Sequence, residues 1–281
     1  MVKITIKKWI KNILLYGFLL LLVVITLIPF YLITVNATHS SFEIVTQLNL
    51  LPGKYLMENY KKLQSYVNIW SGFLNSMLVS VVFMAGSGYF GALAAFGFEK
   101  YQFKGKKFLY ALLLASMMIP SQVSMIGFYR LGLKLGLVNK LITFMIPFFA
   151  PGVSSVSTIF FLRGMISQGV STSLLEAARM EGCSEFGIFN RIVFPCIMPG
   201  VATMCIFNFV NSWNNYIGPL IMITDTKKYT MPILISLVKG IYLTNYGAMY
   251  LAVGISILVV VVVYLFCSKY IIDGLTMGAE K

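Results

Sequence analysis

Charge is missing from six long stretches of this chain, and those gaps restrict its folding more than any other feature. Asn12–Phe42, Leu63–Phe98, Phe108–Tyr129, Leu141–Leu162, Ile192–Thr224 and Ile241–Ser268 contain no Lys, Arg, Asp or Glu. Each exceeds the ~20 apolar residues a helix needs to cross the ~30 Å hydrocarbon core of a bilayer. Lipid offers no partner to a free backbone N–H or C=O, so such segments must be helical; the short alternating segments of a barrel are absent. Of the 281 residues only 11% are charged and 58% are hydrophobic. A soluble domain carries about 25% charged residues, so this chain has too few to clothe a water-facing surface. The expected fold is an all-α integral membrane protein with six transmembrane helices. It forms a single domain over residues 1–281, with an N-terminal anchor helix about 12–35 and core helices about 72–270.

The first stretch follows Lys3, Lys7, Lys8 and Lys11, as a signal peptide would. Its apolar run is longer than the 7–15 residues of a signal peptide and no small-residue cleavage pattern closes it, so it is read as a retained anchor. An even number of spans puts both termini on one side. With the termini in the cytoplasm, the inner segments hold 13 of the 22 Lys and Arg. The first two inner segments, Met1–Lys11 and Glu99–Lys107, set the orientation. The formal charge of +13 is thus a matter of topology, and nucleic acid is not an expected partner. Cys183, Cys196, Cys205 and Cys267 show no paired spacing and are expected to be free and structural. His39, the single histidine, cannot build a metal site alone.

The stretch Ile192–Thr224 would be about 50 Å long as one helix, which exceeds the bilayer core. It is expected to break at Asn211–Pro219, where Gly218 and Pro219 disrupt a helix and the asparagines satisfy the freed backbone. Before it lies the longest inner loop, about 165–192. Ser173 with Glu176 reads as a capping box opening a first short helix, Gly182 as its left-handed terminus, and Ser184 as the cap of a second. A helix of about eight residues is marginal alone in water. With Ala177 and Ala178 permitting close approach, it either docks against a partner or lies on the membrane surface.

The motif Glu176-Ala177-Ala178, three residues, Gly182, nine residues, Ile192-x-x-Pro195 resembles the EAA loop of ABC importer permeases. The one departure is Phe194, where that family has Leu. Further similarities lie in Pro29-Phe-Tyr, Asn75-Ser, Ala94-Ala95-Phe-Gly-Phe, Met117-Met-Ile-Pro120, Trp213-Asn and Gly218-Pro-Leu. The C-terminus from Asp273 to Lys281 is similar to that of the maltose-type subfamily. The chain as a whole resembles the smaller permease of a carbohydrate importer.

That resemblance implies a bacterial plasma-membrane complex. A second permease subunit pairs with this one, two ATPase subunits sit beneath, and an extracytoplasmic sugar-binding protein delivers the substrate. It implies that the loop between helices 4 and 5 is the ATPase-coupling element. Glu176 makes polar contact, Ala177 and Ala178 pack closely, Gly182 turns the chain, and Ile192 and Pro195 complete the motif. No Gly-Lys-Ser/Thr phosphate loop occurs, so no cofactor and no catalysis are expected of this chain, ATP being bound by the partners. The outer segment 225–242 resembles one that reaches into the binding protein. Sugars are held by amides and stacking aromatics, and Asn208, Asn211, Trp213, Asn214, Asn215 and Tyr216 supply both near one break; the same residues could serve only the broken backbone or the partner interface. Within the same family the substrate could instead be a polyamine, phosphate or peptide, and two other classes compete. An ion-coupled transporter would place ionisable groups inside its spans, where this chain has only His39. A membrane enzyme would need paired carboxylates or a nucleophile with its base.

Overall fold

A computed structural model describes residues 2–145, 156–240 and 245–277. The middle of the fourth charge-free stretch (146–155), positions 241–244 and the end of the C-terminal motif (278–281) lie outside the described residues. Among the described residues there is no strand. The α-helices are α1 (Val2–Asn36), α2 (Ser41–Thr46), α3 (Leu56–Tyr66), α4 (Ile69–Lys100), α5 (Lys106–Ser116), α6 (Ser121–Lys134), α7 (Val156–Gly169), α8 (Thr172–Met180), α9 (Glu185–Ile188), α10 (Phe194–Cys196), α11 (Met198–Trp213), α12 (Ile217–Met222), α13 (Met231–Gly240) and α14 (Tyr246–Met277).

Three of these, among the described residues, are long and apolar enough to cross a bilayer: Lys11–Asn36 within α1, α4, and Tyr246–Cys267 within α14. Taking Glu185–Cys196 and Met198–Trp213 as one bent span adds a fourth. The span in α1 is 6% buried and that in α14 11%. A helix that is apolar all round and unburied requires lipid or another subunit around it. Hence Leu14, Phe18, Leu20 and Ile25 lie exposed on α1. The stretch Phe108–Tyr129 is divided in two, because Pro120 precedes α6 and leaves Met117–Ile119 outside both helices.

The chain forms two compact units. Residues Met1–Ile69 and Ile235–Leu258 make the first. There a capping box that the sequence reading passed over opens α2: Ser40 Oγ accepts from Glu43 N (3.3 Å), and Ser40 N donates to Glu43 Oε2 (2.9 Å). Asn59, 2% exposed, donates from Nδ2 to the carbonyls of Ala37 and His39 at 2.9 Å each. Ser41 Oγ accepts from Tyr246 N at 3.0 Å, tying α2 to the start of α14.

Residues Trp70–Leu234 and Val259–Lys281 make the second unit. Its main core gathers Ala92, Ala95 and Phe96 of α4, Ile159, Leu162 and Ile166 of α7, Leu175 and Ala178 of α8, Ile188 and Phe189, and Val201 of α11. A second cluster joins Val79, Phe144, Met222 and Ile223. Asn208 Nδ2 of α11 donates to Thr158 Oγ1 of α7 (3.0 Å), a buried polar link between the two helices.

The break expected in Ile192–Thr224 is present: α11 ends at Trp213 and α12 starts at Ile217. A second break, not expected, lies at Ile197, where the chain bends by 80°. Two prolines flank it and neither brings an N–H to the ladder: Pro199 lies in the first turn of α11 just after the break, and before Pro195 the segment Phe189–Val193 relaxes into a π-helix.

A Cβ at Gly247 would lie 2.4 Å from Asn59 Nδ2 and 2.5 Å from its Oδ1. Gly247→Ala is therefore expected to displace Asn59 and cost about 1–3 kcal/mol of stability, read as a lowered thermal unfolding midpoint in detergent.

Candidate functional site

Two features of the second unit carry chemistry: the α8–α9 loop and a cavity beside α12. The loop is built from its ends inward. The expected Ser173–Glu176 capping box is not formed. Ser171 is the N-cap, with φ −71° and ψ 147°, and its Oγ accepts from Leu174 N (3.3 Å). Capping needs an extended residue before the first turn, and Ser173 is already helical. Ser184 does cap α9, accepting from Gly187 N at 3.2 Å. Gly182 sits at φ +81°, the left-handed position that ends α8.

The candidate loop residues divide by face. Leu175 and Ala178 are buried in the core of the second unit. Glu176 and Ala177 face out, together with Leu174, Met180 (89% exposed) and Phe186. The two alanines therefore serve opposite faces. Ile192 is half-buried against the core, and Pro195 is exposed on α10.

A carboxylate clasp that the motif did not announce closes the loop. Arg179 Nε donates to Glu185 Oε1 (2.7 Å) and Arg179 Nη2 to Oε2 (3.2 Å). Tyr101 OH donates to the same Oε2. The Arg179 hydrogen bond, then the Tyr101 one, hold the Glu185 carboxyl below its usual range. Burial, then the carboxylate beside it, raise the Tyr101 phenol, which stays protonated and donates. Because the Glu185 pKa is depressed, the clasp is complete above the ordinary value of 4.5 and is lost only as pH falls through the lowered one. Sequence reasoning missed it, although Arg179 and Glu185 six apart across a glycine turn were a visible signal.

The cavity has a volume of about 620 Å³. Its walls are Phe83 of α4, Ser116, Ile119, Ser124, Met125 and Phe128 of α5–α6, Thr143 and Phe144, Val156 of α7, Asn211 and Ser212 of α11, and Asn215 and Gly218. These are hydroxyls and amides set among aromatic and aliphatic surfaces, with no charged side chain among them. Asn215 Oδ1 accepts from Gly218 N (3.2 Å), which aligns the start of α12 along the wall.

Of the six residues singled out at the break, Asn211 and Asn215 reach the cavity. Asn208 is spent on Thr158. Trp213 is 1% exposed and packs between Phe209 and Phe73, each ring centroid 5.8 Å away. Asn214 is exposed and Tyr216 half-buried, and neither lines the cavity. Serines and aromatics of α4–α6 were missed because their convergence is tertiary.

Beside the cavity, Asn139 (φ +60°) holds the chain after α12. Its N–H donates to Met222 O (2.7 Å), and its Oδ1 accepts from Asp225 N (3.0 Å) and Thr224 N (3.3 Å). Asn75 Nδ2 donates to the carbonyls of Lys227 (2.9 Å) and Tyr229 (3.0 Å), and Ser76 Oγ accepts from Met231 N (2.7 Å).

Apolar helices around a largely apolar cavity that carries amides and hydroxyls but no charge among its lining residues fit a membrane permease. The chain belongs to the family of binding-protein-dependent transport system inner membrane components, whose pattern matches residues 87–276. It is 32% identical over 268 residues to the arabinooligosaccharides transport system permease protein of Bacillus subtilis (strain 168), covering 94% of each chain. It is 29% identical over 263 residues to the multiple sugar-binding transport system permease protein of Streptococcus mutans, covering 92% of this chain and 93% of that one. Its fold is similar to a chain of a bacterial ABC transporter involved in the import of the acidic polysaccharide alginate, with a TM-score of 0.75, 20% identity and coverage of 93% and 96%.

The placements separate two roles at the break. Trp213→Ala is expected to cost about 3–5 kcal/mol of stability. Asn211→Ala is expected to change it by less than about 0.5 kcal/mol, both measured by thermal unfolding in detergent.

Proposed function

We propose that this chain is the smaller of two permease subunits of an ATP-driven carbohydrate importer in a bacterial plasma membrane. It works with a second permease, two ATPase subunits and an extracytoplasmic sugar-binding protein. Six spans place both termini in the cytoplasm, and residues 1–281 act as one permease domain. The curated relatives are named for oligosaccharide and sugar transport systems. The observation that carries the reading is the α8–α9 loop. Leu175 and Ala178 root it in the core, while Glu176, Ala177, Leu174 and Met180 remain outside.

That division suits a lever. The ATPase grips the outer face of α8, with Glu176 as the polar contact and Ala177 allowing close approach. Gly182 lets the chain turn into α9. Ile192 packs toward the core and Pro195 lies just before the bend into α11. Because the inner face of α8 shares a core with α4, α7 and α11, closure of the ATPases moves these helices as one body and switches the pathway between its two sides. The chain itself holds no ATP and performs no catalysis.

The substrate passes by the cavity. Asn211, Asn215, Ser116, Ser124 and Thr143 offer donors and acceptors for hydroxyl groups, and Phe83, Phe128 and Phe144 offer apolar faces for a sugar ring. The lack of charge among the lining residues suits a neutral sugar over an acidic one, a polyamine or phosphate. Asn208, Trp213, Asn214 and Tyr216 support the wall from behind or beside it. The clamped segment 224–231 fits the outer element that meets the binding protein.

The test is reconstitution with the second permease and ATPase that co-purify with this chain from native membranes and with a sugar-binding protein that stimulates their ATP hydrolysis, assayed in proteoliposomes with the sugar of that binding protein. Asn215→Ala is expected to lower uptake about tenfold, the effect of losing one polar contact, with ATP hydrolysis unchanged. Glu176→Lys and Gly182→Leu are expected to insert normally but to abolish both uptake and stimulated hydrolysis. Wild-type uptake in the two loop variants would overturn the assignment.

A further inference from the structure

The exposed clasp on the α8–α9 loop is not needed to hold the fold. Arg179 and Glu185 are about half exposed, with 37% and 48% of their side-chain surface open. An ion pair of that kind contributes little to stability, because solvent screens it. The apolar floor beneath is the stronger tie: Phe96 of α4 stacks on Phe189 at 5.9 Å, and Leu175, Ala178 and Ile188 are buried there. What a two-point guanidinium–carboxylate contact adds is direction, since both N–H···O bonds must align together.

The direction it sets involves three elements. Arg179 is in the last turn of α8 and Glu185 in the first turn of α9, with the left-handed Gly182 between them. Backbone bonds close the turn itself, Cys183 N donating to Ala178 O and Gly182 N to Arg179 O at 3.0 Å each, and the side-chain clasp adds a second tie across it that fixes how the two short helices are held. Tyr101, just past the end of α4, donates to the same carboxylate. Two other polar ties run the same way. Lys100 Nζ donates to Val170 O (2.5 Å), and Tyr89 OH of α4 donates to Asn190 Oδ1 (2.9 Å). α4 is thus tied to the loop before α8, at its turn and after α9. At 32 residues it is about 48 Å long, and its other end carries Asn75 and Ser76, which clamp the segment 227–231.

We infer that Glu185 is a positioning residue of this transporter: its carboxylate joins α8, α9 and the end of α4 into one rigid lever, so that displacement of α8 is delivered to α4. This rests on the reading of the α8–α9 loop as the ATPase-facing element. Without Glu185, α8 still docks and the core still folds, but α8 swivels on Gly182 and part of its stroke is lost. ATP is then hydrolysed with less sugar moved per turnover.

The experiment uses the full reconstituted complex and reads three quantities together: sugar transported per ATP hydrolysed, co-purification of the ATPase, and the thermal unfolding midpoint. Glu185→Gln and Tyr101→Phe are each expected to lower the transport-to-hydrolysis ratio by about two- to fivefold, the reach of an exposed ion pair. Co-purification and midpoint stay at wild-type values. Exchanging the pair, Arg179→Glu with Glu185→Arg, is expected to recover at least half of the lost ratio. An unchanged ratio in Glu185→Gln overturns the inference. So does a loss that follows the unfolding midpoint or ATPase release, or an exchange no better than the single variant. If the wild-type complex moves no sugar while the ATPase still co-purifies, the carbohydrate assignment fails instead.

Discussion

Hydrocarbon cannot hydrogen-bond to a peptide group, and each helix of this protein answers that constraint. Where the chain is continuous, as in α1, α4 and α14, the backbone satisfies itself and side chains are free to be apolar on every face. Where the chain breaks, side chains take over. Asn215 accepts from the backbone at the start of α12, and Asn139 receives two amides beyond its end. Asn211, Ser212 and Asn215, at the break before α12, also line the cavity.

The second consequence concerns rigidity. A helix bundle can transmit a push only if its contacts are discrete and packed. Here one core holds the inner face of α8 together with α4, α7 and α11, and Gly200 of α11 lies so close to α7 that a Cβ there would meet Met165 Sδ at 2.1 Å. Translation of α8 away from these helices would open voids or collisions, so they are displaced together, whereas a small rotation of α8 over the apolar contact is opposed less. The clasp at Glu185 adds orientation to a contact that apolar packing alone leaves able to rotate.

The third concerns specificity. The cavity joins amides and hydroxyls to aromatic surfaces and holds no charge among its lining residues. In the proposed role that combination suits a neutral ring bearing hydroxyl groups, whereas an ion would find no compensating charge among these residues. The proposed division of labour fits this, with this chain supplying passage and linkage and its partners supplying energy and capture.

Much of this was legible along the chain. Charge-free length dictates helices, Gly182 marks a left-handed turn, Ser184 marks a cap, and Asn211–Pro219 marks a break, because each depends on residues adjacent in sequence. The loop motif likewise is a local pattern, and the family resemblance was read from it together with short motifs elsewhere in the chain. What local order could not decide is which polar group meets which. Ser171 rather than Ser173 caps α8, since the chain leaves α7 at an angle that packing determines. Ala177 and Ala178 fall on opposite faces because α8 is rotated to bury Leu175. Trp213 and Asn208 turned inward to Phe73, Phe209 and Thr158, while Asn211 and Asn215 joined serines about 90 residues away at the cavity wall. The sequence by itself determined that the chain is helical and membrane-embedded, because solvation of the backbone and of charge acts residue by residue. Only the tertiary structure decided which asparagines line the cavity and that Tyr101, Arg179 and Glu185 form one clasp, because those contacts depend on how helices distant in sequence rotate and pack.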